Sequence, residues 1–232
     1  MGRRRWIVAA VVVALLGAGA GAVSYAVPGL AATACPGCYG LDDLGGHVYA
    51  DTADPRLRDV VAAADRRIAA FYGERRSDPR VLICTTDECY RRIGGGGEKG
   101  RALRDWSLML SPAGANETIA THELSHNEFH ERLGGARSAV PQWFDEGLAV
   151  LVSDDGRYLG PGPDRCRLPY EQALPVVTAD WWSAAGGGDD RAYLQAACVV
   201  SRWVGQHGGA AGVLELISRL RDGEPFADLV RP

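Results

Sequence analysis

The feature that most constrains this chain is an H-E-x-x-H sequence formed by His122, Glu123 and His126. On an α-helix, residues four apart lie on one face about one turn, roughly 6 Å, from each other, so two imidazoles can bind one metal ion. The glutamate after the first histidine then points toward the same ion, where a base for a metal-activated water is needed. The pattern therefore predicts a helix that carries both a metal site and a general base.

A catalytic zinc site usually has three protein ligands and one open position, so a third ligand is expected. His130 lies about 12 Å from His122 along the helix axis, too far to share the ion, and is expected at the surface or beside a ligand. The H-E-x-x-H-x-x-G-x-x-H pattern needs glycine and histidine where this chain has Phe129 and Arg132. This leaves Glu146 as the predicted third ligand.

The predicted third ligand lies on a second amphipathic helix, which Pro141 opens in a position that suits a first helical turn. Asp145 is the alternative ligand, because helical neighbours point about 100° apart and only one of the two can face the ion. Residues 143–149 (WFDEGLA) resemble the second signature of the gluzincin metallopeptidases, a glutamate in a W-x-x-E-G-L-A-like sequence after the H-E-x-x-H helix. The resemblance is strong at 118–152 and extends in outline over 45–228.

The gluzincin resemblance implies a peptidase in which three side chains bind Zn²⁺, namely His122, His126 and Glu146. Glu123 would take a proton from the attacking water and then deliver it to the leaving amine. Related chains carry a tyrosine at the start of a similar late helix, so Tyr193 is the first candidate for an oxyanion donor and His207 the second. Some gluzincins orient the first histidine with an acidic residue where this chain has Val150, so another group must do so here.

The hydrophobic patterns predict an α+β domain over 45–232. Strands are predicted at 46–51, 80–84 and 104–110, and helices at 55–72, 87–93, 116–133, 191–206 and 210–220. The resemblance implies a zincin-like arrangement, with a small mixed sheet packed on the active-site helix and a mostly helical C-terminal part. It also implies that an edge strand near 106–110 binds substrate backbone. Residues 154–189 are predicted to be irregular, with Trp181 and Trp182 in the core; the alternative is that they form a wall of the substrate pocket.

The N-terminus has the pattern of a targeting segment. Arginines at 3–5 precede the uncharged run 6–27, which is long enough to span a hydrocarbon core of about 30 Å. An uncleaved membrane anchor at 1–27 is predicted; the alternatives are a signal peptide cleaved after 32–34 (ATA) and a lipoprotein acylated at Cys35. Each alternative places the catalytic domain outside the cytoplasm, after a linker at 28–44.

An even number of cysteines in an exported chain predicts disulfides, although spacing alone leaves the connectivity open. The expected bridges are Cys35–Cys38, Cys84–Cys89 and Cys166–Cys198. The C-x-x-C at 35–38 does not open a helix after a strand, as a thioredoxin-like site would, so we interpret it as structural.

The net charge of −4 gives no indication of nucleic-acid binding, so the expected partner is a peptide or protein outside the cytoplasm. The sequence contains no G-x-M-E-N-like amine-binding motif, which disfavours an aminopeptidase. One alternative is an inactive zinc-bearing surface domain with a binding or regulatory role. Retention of Glu123 argues against it, because a structural zinc site needs no base. The other alternative is a disulfide scaffold in which the histidines are incidental.

Overall fold

The computed structural model describes residues 28–167, 178–185 and 190–231. The first part of the described chain contains α1 (Pro28–Ala34), a 3₁₀ turn (Pro36–Tyr39), β1 (Asp42–Gly45), β2 (Val48–Ala50), α2 (Pro55–Tyr72), β3 (Arg80–Ile83), α3 (Asp87–Arg92), β4 (Gly100–Leu103) and β5 (Ser107–Leu110). The second part contains α4 (Glu117–Leu133), a 3₁₀ turn (Gly134–Ala139), α5 (Gln142–Ser153), α6 (Thr178–Ala185), α7 (Arg191–Gln206), α8 (Ala210–Arg221) and α9 (Phe226–Leu229).

Five strands form one mixed sheet in the order β1-β2-β3-β5-β4. The three inner strands are parallel, and each edge strand is antiparallel to its neighbour. Along β3, Val81 and Ile83 face one layer of the core while Leu82 faces the other, and all three are buried. Helices therefore cover both faces of the sheet, which explains why this strand is a continuous apolar run. The predicted α+β class is confirmed.

The helices on the first face begin where the sequence predicts. Asp54 caps α2 by accepting a hydrogen bond from the backbone N–H of Arg56, and Asn116 caps α4 by accepting one from Ile119. Such side-chain acceptors satisfy backbone donors that the first turn leaves free. The two helices pack together and against the sheet, so the predicted metal-binding helix lies directly on it.

The second face is covered by α1 and α3. Ala32 of α1 is buried in the same cluster as Leu82 and Met109 of the sheet. The Thr33 hydroxyl lies 2.7 Å from that of Ser107 in β5, a hydrogen bond from α1 to the central part of the sheet. Residues 28–44, described above as a linker, thus fold onto the sheet.

The prediction of one strand over 104–110 is wrong in its first half. The chain makes a tight turn at 104–106, and only Ser107–Leu110 forms β5, between β3 and β4. The edge strand is therefore β4, not the segment near 106–110 to which substrate binding was assigned. Trp106 lies in the turn and is 52% exposed, because the turn carries it beyond the helices that cover the sheet.

The C-terminal helices pack closely on α5. Gly147 of α5 lies against α7, where an added Cβ would be 2.5 Å from the carbonyl oxygen of Ala196. The region predicted to be irregular contains α6, and its segments 168–177 and 186–189 lie outside the described residues. Trp181 is fully buried as predicted, but Trp182 is 49% exposed, so its assignment to the core is wrong. It lines a cleft instead, as the alternative of a pocket wall expects. Adjacent helical residues point in different directions, and α6 buries only one of them.

All three predicted bridges are present: Cys35–Cys38, Cys84–Cys89 and Cys166–Cys198. Within 28–167, 178–185 and 190–231, the structure has no helix long and apolar enough to cross a membrane. The predicted anchor at 1–27 lies outside the described residues.

A buried ion pair fastens α4 to the loop after α2. Glu128 is fully buried, receives a hydrogen bond of 2.6 Å from the Arg132 guanidinium, and accepts backbone N–H groups of Arg76 and Ser77. Arg132 also donates to the carbonyl of Glu74. Both carboxylate oxygens of Glu128 and two guanidinium nitrogens of Arg132 have partners, so the pair fixes the loop on the helix.

We expect Glu128→Ala to lower the free energy of unfolding by about 3–5 kcal/mol, because it leaves the Arg132 charge buried without a partner. Urea unfolding of the purified full-length chain, with its disulfides intact, would measure the change. The control is Glu131→Ala, which removes an exposed carboxylate from the same helix. Equal stability of the two variants would contradict this account.

Candidate metal centre

The structure brings together the three predicted ligands from two helices. His122 and His126 lie on α4, and Glu146 lies on α5. The Nε2 atoms of the two histidines are 3.2 Å apart, and Oε2 of Glu146 lies 3.3 Å from the first and 3.7 Å from the second. Ligand atoms of the three residues all lie within 4.8 Å of one another, so the group could hold a metal ion.

Aromatic packing sets the position of α5 relative to α4. The rings of Phe129 on α4 and Phe144 on α5 are 6.2 Å apart, and the latter also contacts Trp203 and Phe226 edge-on. Phe144 is fully buried two residues before Glu146. The apolar residues of the second signature therefore anchor the helix, and its glutamate is turned toward the histidines.

Asp145 is not part of the metal-capable group but lies directly behind it. Its Oδ1 is 2.8 Å from Nδ1 of His126, and its Oδ2 is 2.7 Å from Nε2 of His130. Burial alone would raise the pKa of Asp145, but the two histidine contacts hold that pKa below its usual value. A carboxylate that accepts from Nδ1 leaves Nε2 of His126 to face an ion. His130 thus lies beside a ligand's partner, consistent with its predicted place near the ligands.

The first histidine has no such support. Val150, at the position where some gluzincins have an acidic residue, is buried among apolar side chains. The Nδ1 atom of His122 is buried and has no hydrogen-bond partner among the residues that the structure describes. The outer carboxylate of this site therefore orients the second histidine, not the first.

Glu123 lies beside the metal-capable group, under the edge strand β4. Burial raises the pKa of its carboxyl group, and this effect outweighs the neighbouring histidines and the Ala102 backbone N–H, which lower it. An added Cβ at Gly100 would lie 2.8 Å from Oε1 of Glu123 and 2.7 Å from its Cγ. Only glycine allows the strand to pass this close to the carboxylate.

A cleft of about 760 Å³ opens onto these residues. Tyr193, at the start of α7, lines it, as the sequence predicts for an oxyanion donor. Burial, the largest effect, and the charge of Glu146 raise the pKa of the Tyr193 phenol. His207 lies at the far end of α7, about 20 Å along the helix axis, where its ring N–H donates to the carbonyl of Trp203. His207 lines a different cavity, so it cannot be the oxyanion donor of this cleft.

Three contributors to the site escaped sequence reasoning: Gly100, Ala102 and the bridging role of Asp145. The glycine and alanine carry no chemical group that a motif could show, because one acts by lacking a side chain and the other through its backbone. For Asp145 a signal existed. His122, His126 and His130 are spaced four residues apart and so share one face of α4, and the neighbour of Glu146 on the facing helix is placed to contact the histidine that does not bind the ion.

A second cluster, Asp51 with Cys84 and Cys89, also has ligand atoms close together. Its two sulfur atoms are bonded to each other, so no thiolate is available to an ion. The group on α4 and α5 is therefore the better metal site in the described part of the chain.

Comparisons with protein-family models, curated proteins and solved structures find no match to this chain. The fold and the site define an α+β protein with a buried group of two imidazoles and one carboxylate that could bind a metal ion.

We expect Asp145→Asn to weaken metal binding by about 10- to 100-fold, because the amide no longer holds His126 as a carboxylate does. Competition with a chromophoric chelator would give the affinity. The control is Glu131→Gln, which neutralises an exposed carboxylate on α4 away from the site. Unchanged affinity in Asp145→Asn would show that this contact does not orient the ligand.

Proposed function

We propose that this chain is an extracytoplasmic, zinc-dependent peptidase of the gluzincin type. The observation that carries the proposal is the convergence of His122, His126 and Glu146 at the base of a cleft, with Glu123 buried beside them. A purely structural metal site would have no use for an added buried carboxylate facing the cleft. The zincin-like arrangement, with the metal-binding helix under an edge strand, is part of the same proposal.

The donor set and its spacing support zinc as the metal. Two imidazole nitrogens with one carboxylate oxygen suit Zn²⁺, whereas Mg²⁺ and Ca²⁺ prefer oxygen ligands alone. Donors at tetrahedral angles and about 2.0–2.1 Å from a zinc ion are about 3.3 Å from each other. The separations here are 3.2, 3.3 and 3.7 Å. Zinc, when bound, supplies a Lewis acid that polarises the substrate carbonyl and makes water more acidic.

The side chains around the group would perform the proton transfers and hold the substrate. Glu123 takes the proton of the attacking water and later donates it to the leaving amine. Tyr193 lines the same cleft, and its phenol, which is neutral at neutral pH even at the usual tyrosine pKa, can donate a hydrogen bond to the developing oxyanion. Among the described strands, β4 pairs only with β5, and its free edge can accept an extended substrate backbone.

The cellular location follows from the N-terminus and the cysteines. The sequence pattern of 1–27 supports a membrane anchor, with a cleaved signal peptide as the alternative. Three disulfides fit an oxidising compartment outside the cytoplasm. The proposed substrate is therefore a peptide or protein outside the cytoplasm.

We expect the zinc-loaded full-length chain to cleave members of a mixed peptide library, and Glu123→Gln to be slower by about 10²–10⁴-fold because it lacks the base. Mass spectrometry of the products and zinc content of both samples would be measured together. If both samples contain the same amount of zinc and only the parent cleaves, Glu123 is assigned as the base. A parent that retains zinc and cleaves nothing would overturn the proposal in favour of a non-catalytic zinc domain.

We expect Gly100→Ala to lower kcat on the order of 10- to 100-fold while zinc is retained, because the new methyl group displaces the Glu123 carboxylate. The matched control is Gly97→Ala, since a Cβ at that position meets nothing within 4 Å. Steady-state kinetics of both variants on one cleaved peptide would test this. Full activity of Gly100→Ala would show that the base tolerates displacement.

A further inference from the structure

Arg104 occupies an unusual place in the turn between β4 and β5. Its φ of 56° lies in the left-handed region, which residues with bulky side chains seldom adopt and which glycine would enter at no cost. Backbone conformations of this kind persist where the surrounding structure imposes them, often at binding sites. An arginine at such a position points to a use for its side chain.

The surrounding structure holds this turn on the metal-binding helix. The side-chain amide of Asn127, which is fully buried on α4 next to His126, donates a hydrogen bond to the carbonyl oxygen of Arg104. The Arg104 guanidinium lies 5.8 Å from the ring centre of Trp106 and lines the cleft. The backbone of Arg104 is thus fixed relative to the metal-capable group, and its side chain borders the cleft.

The charges around the cleft leave Arg104 without an acidic partner. Arg101 and Arg137 also line the cleft, but the first pairs with Glu98 at 2.7 Å and the second approaches Asp105 at 3.9 Å. Arg104 makes no ion pair with any residue that the structure describes.

The other acidic groups in the cleft belong to the metal centre: Glu123, Asp145 and Glu146. The last two already face histidines, and Glu123 is the proposed base. The chain as a whole is acidic, with a net charge of −4, yet the lining of this cleft includes a guanidinium that pairs with no carboxylate of the described residues.

We propose that Arg104, with Arg137 in the lining of the same cleft, forms a subsite that binds a carboxylate of the peptide substrate. Guanidinium groups bind carboxylates through paired N–H donors, which a planar fork presents well. The inference rests on the proposed function, because it takes the occupant of the cleft to be a peptide. The carboxylate is that of an acidic side chain or that of the peptide's C-terminus, and the test separates these two sources.

Binding is the direct test, measured on the zinc-loaded full-length chain with Glu123→Gln so that no peptide is consumed. Otherwise neutral peptides carry Glu or Gln at one position, and each is made with a free or an amidated C-terminus. We expect a carboxylate to tighten Kd about tenfold or more, as hydrogen bonds to a charged group do. If the Glu peptide binds more tightly than the Gln peptide even when both are amidated, the subsite binds an acidic side chain. If the free acid binds more tightly than the amide whether the peptide carries Glu or Gln, the subsite binds the C-terminal carboxylate.

Three variants in the same background separate the side chain from the turn. Arg104→Gln and Arg104→Gly should both lose the carboxylate preference, although glycine relieves the left-handed backbone. Arg91→Gln removes an exposed arginine outside the cleft and should keep the preference. Equal Kd values for all four peptides, preference retained in both Arg104 variants, or absence of any binding would overturn the subsite.

Hydrolysis by the parent chain keeps the two proposals distinct. Cleavage of the neutral amidated peptide together with equal Kd values refutes the subsite and leaves the peptidase intact. A carboxylate preference in binding without hydrolysis of any peptide refutes the peptidase and supports the subsite.

Discussion

The contact between α4 and α5 brings two imidazoles and a carboxylate together in a buried place, and the site depends on it. Polar groups moved out of water without partners destabilise a protein, and unpaired charges do so strongly. Here the aromatic pair Phe129 and Phe144 supplies the packing that holds the helices against this cost. A bound cation would interact with both imidazoles and the carboxylate at once, so the apolar contact and the metal site would stabilise each other.

Two buried polar networks lie on different faces of α4. In one, Asp145 contacts both His126 and His130. In the other, Glu128 and Arg132 form hydrogen bonds with each other and with the loop after α2. These two networks fix the rotation of α4 about its own axis. A helix that carries metal ligands needs this, because a small rotation would move both imidazoles away from Glu146.

The sequence predicts the helices of the site well and the strands around it poorly, for physical reasons. Residues four apart in H-E-x-x-H must share a helical face, and the apolar residues around Glu146 repeat at helical spacing, so both helices follow from local pattern. The turn at 104–106 does not, because Arg104 stands where glycine would mark it. The strand β1 (DDLG) has no apolar run that would mark it, and the close approach of Gly100 to Glu123 exists only after the sheet has formed.

The edge strand joins the different parts of the site. Residues 100 and 102 lie on one side of β4, and Arg104 follows in the turn after it. The first leaves room for Glu123, the second donates its N–H to that carboxylate, and the third brings a guanidinium to the cleft. An open strand edge is also a hazard, because it can pair with another chain. Here β4 is short and bears the charged Arg101, which disfavours such pairing, while the backbone groups of its free edge other than the Ala102 N–H stay open to a substrate. Under the proposed function, the strand therefore positions the base and borders the bound peptide with the same few residues.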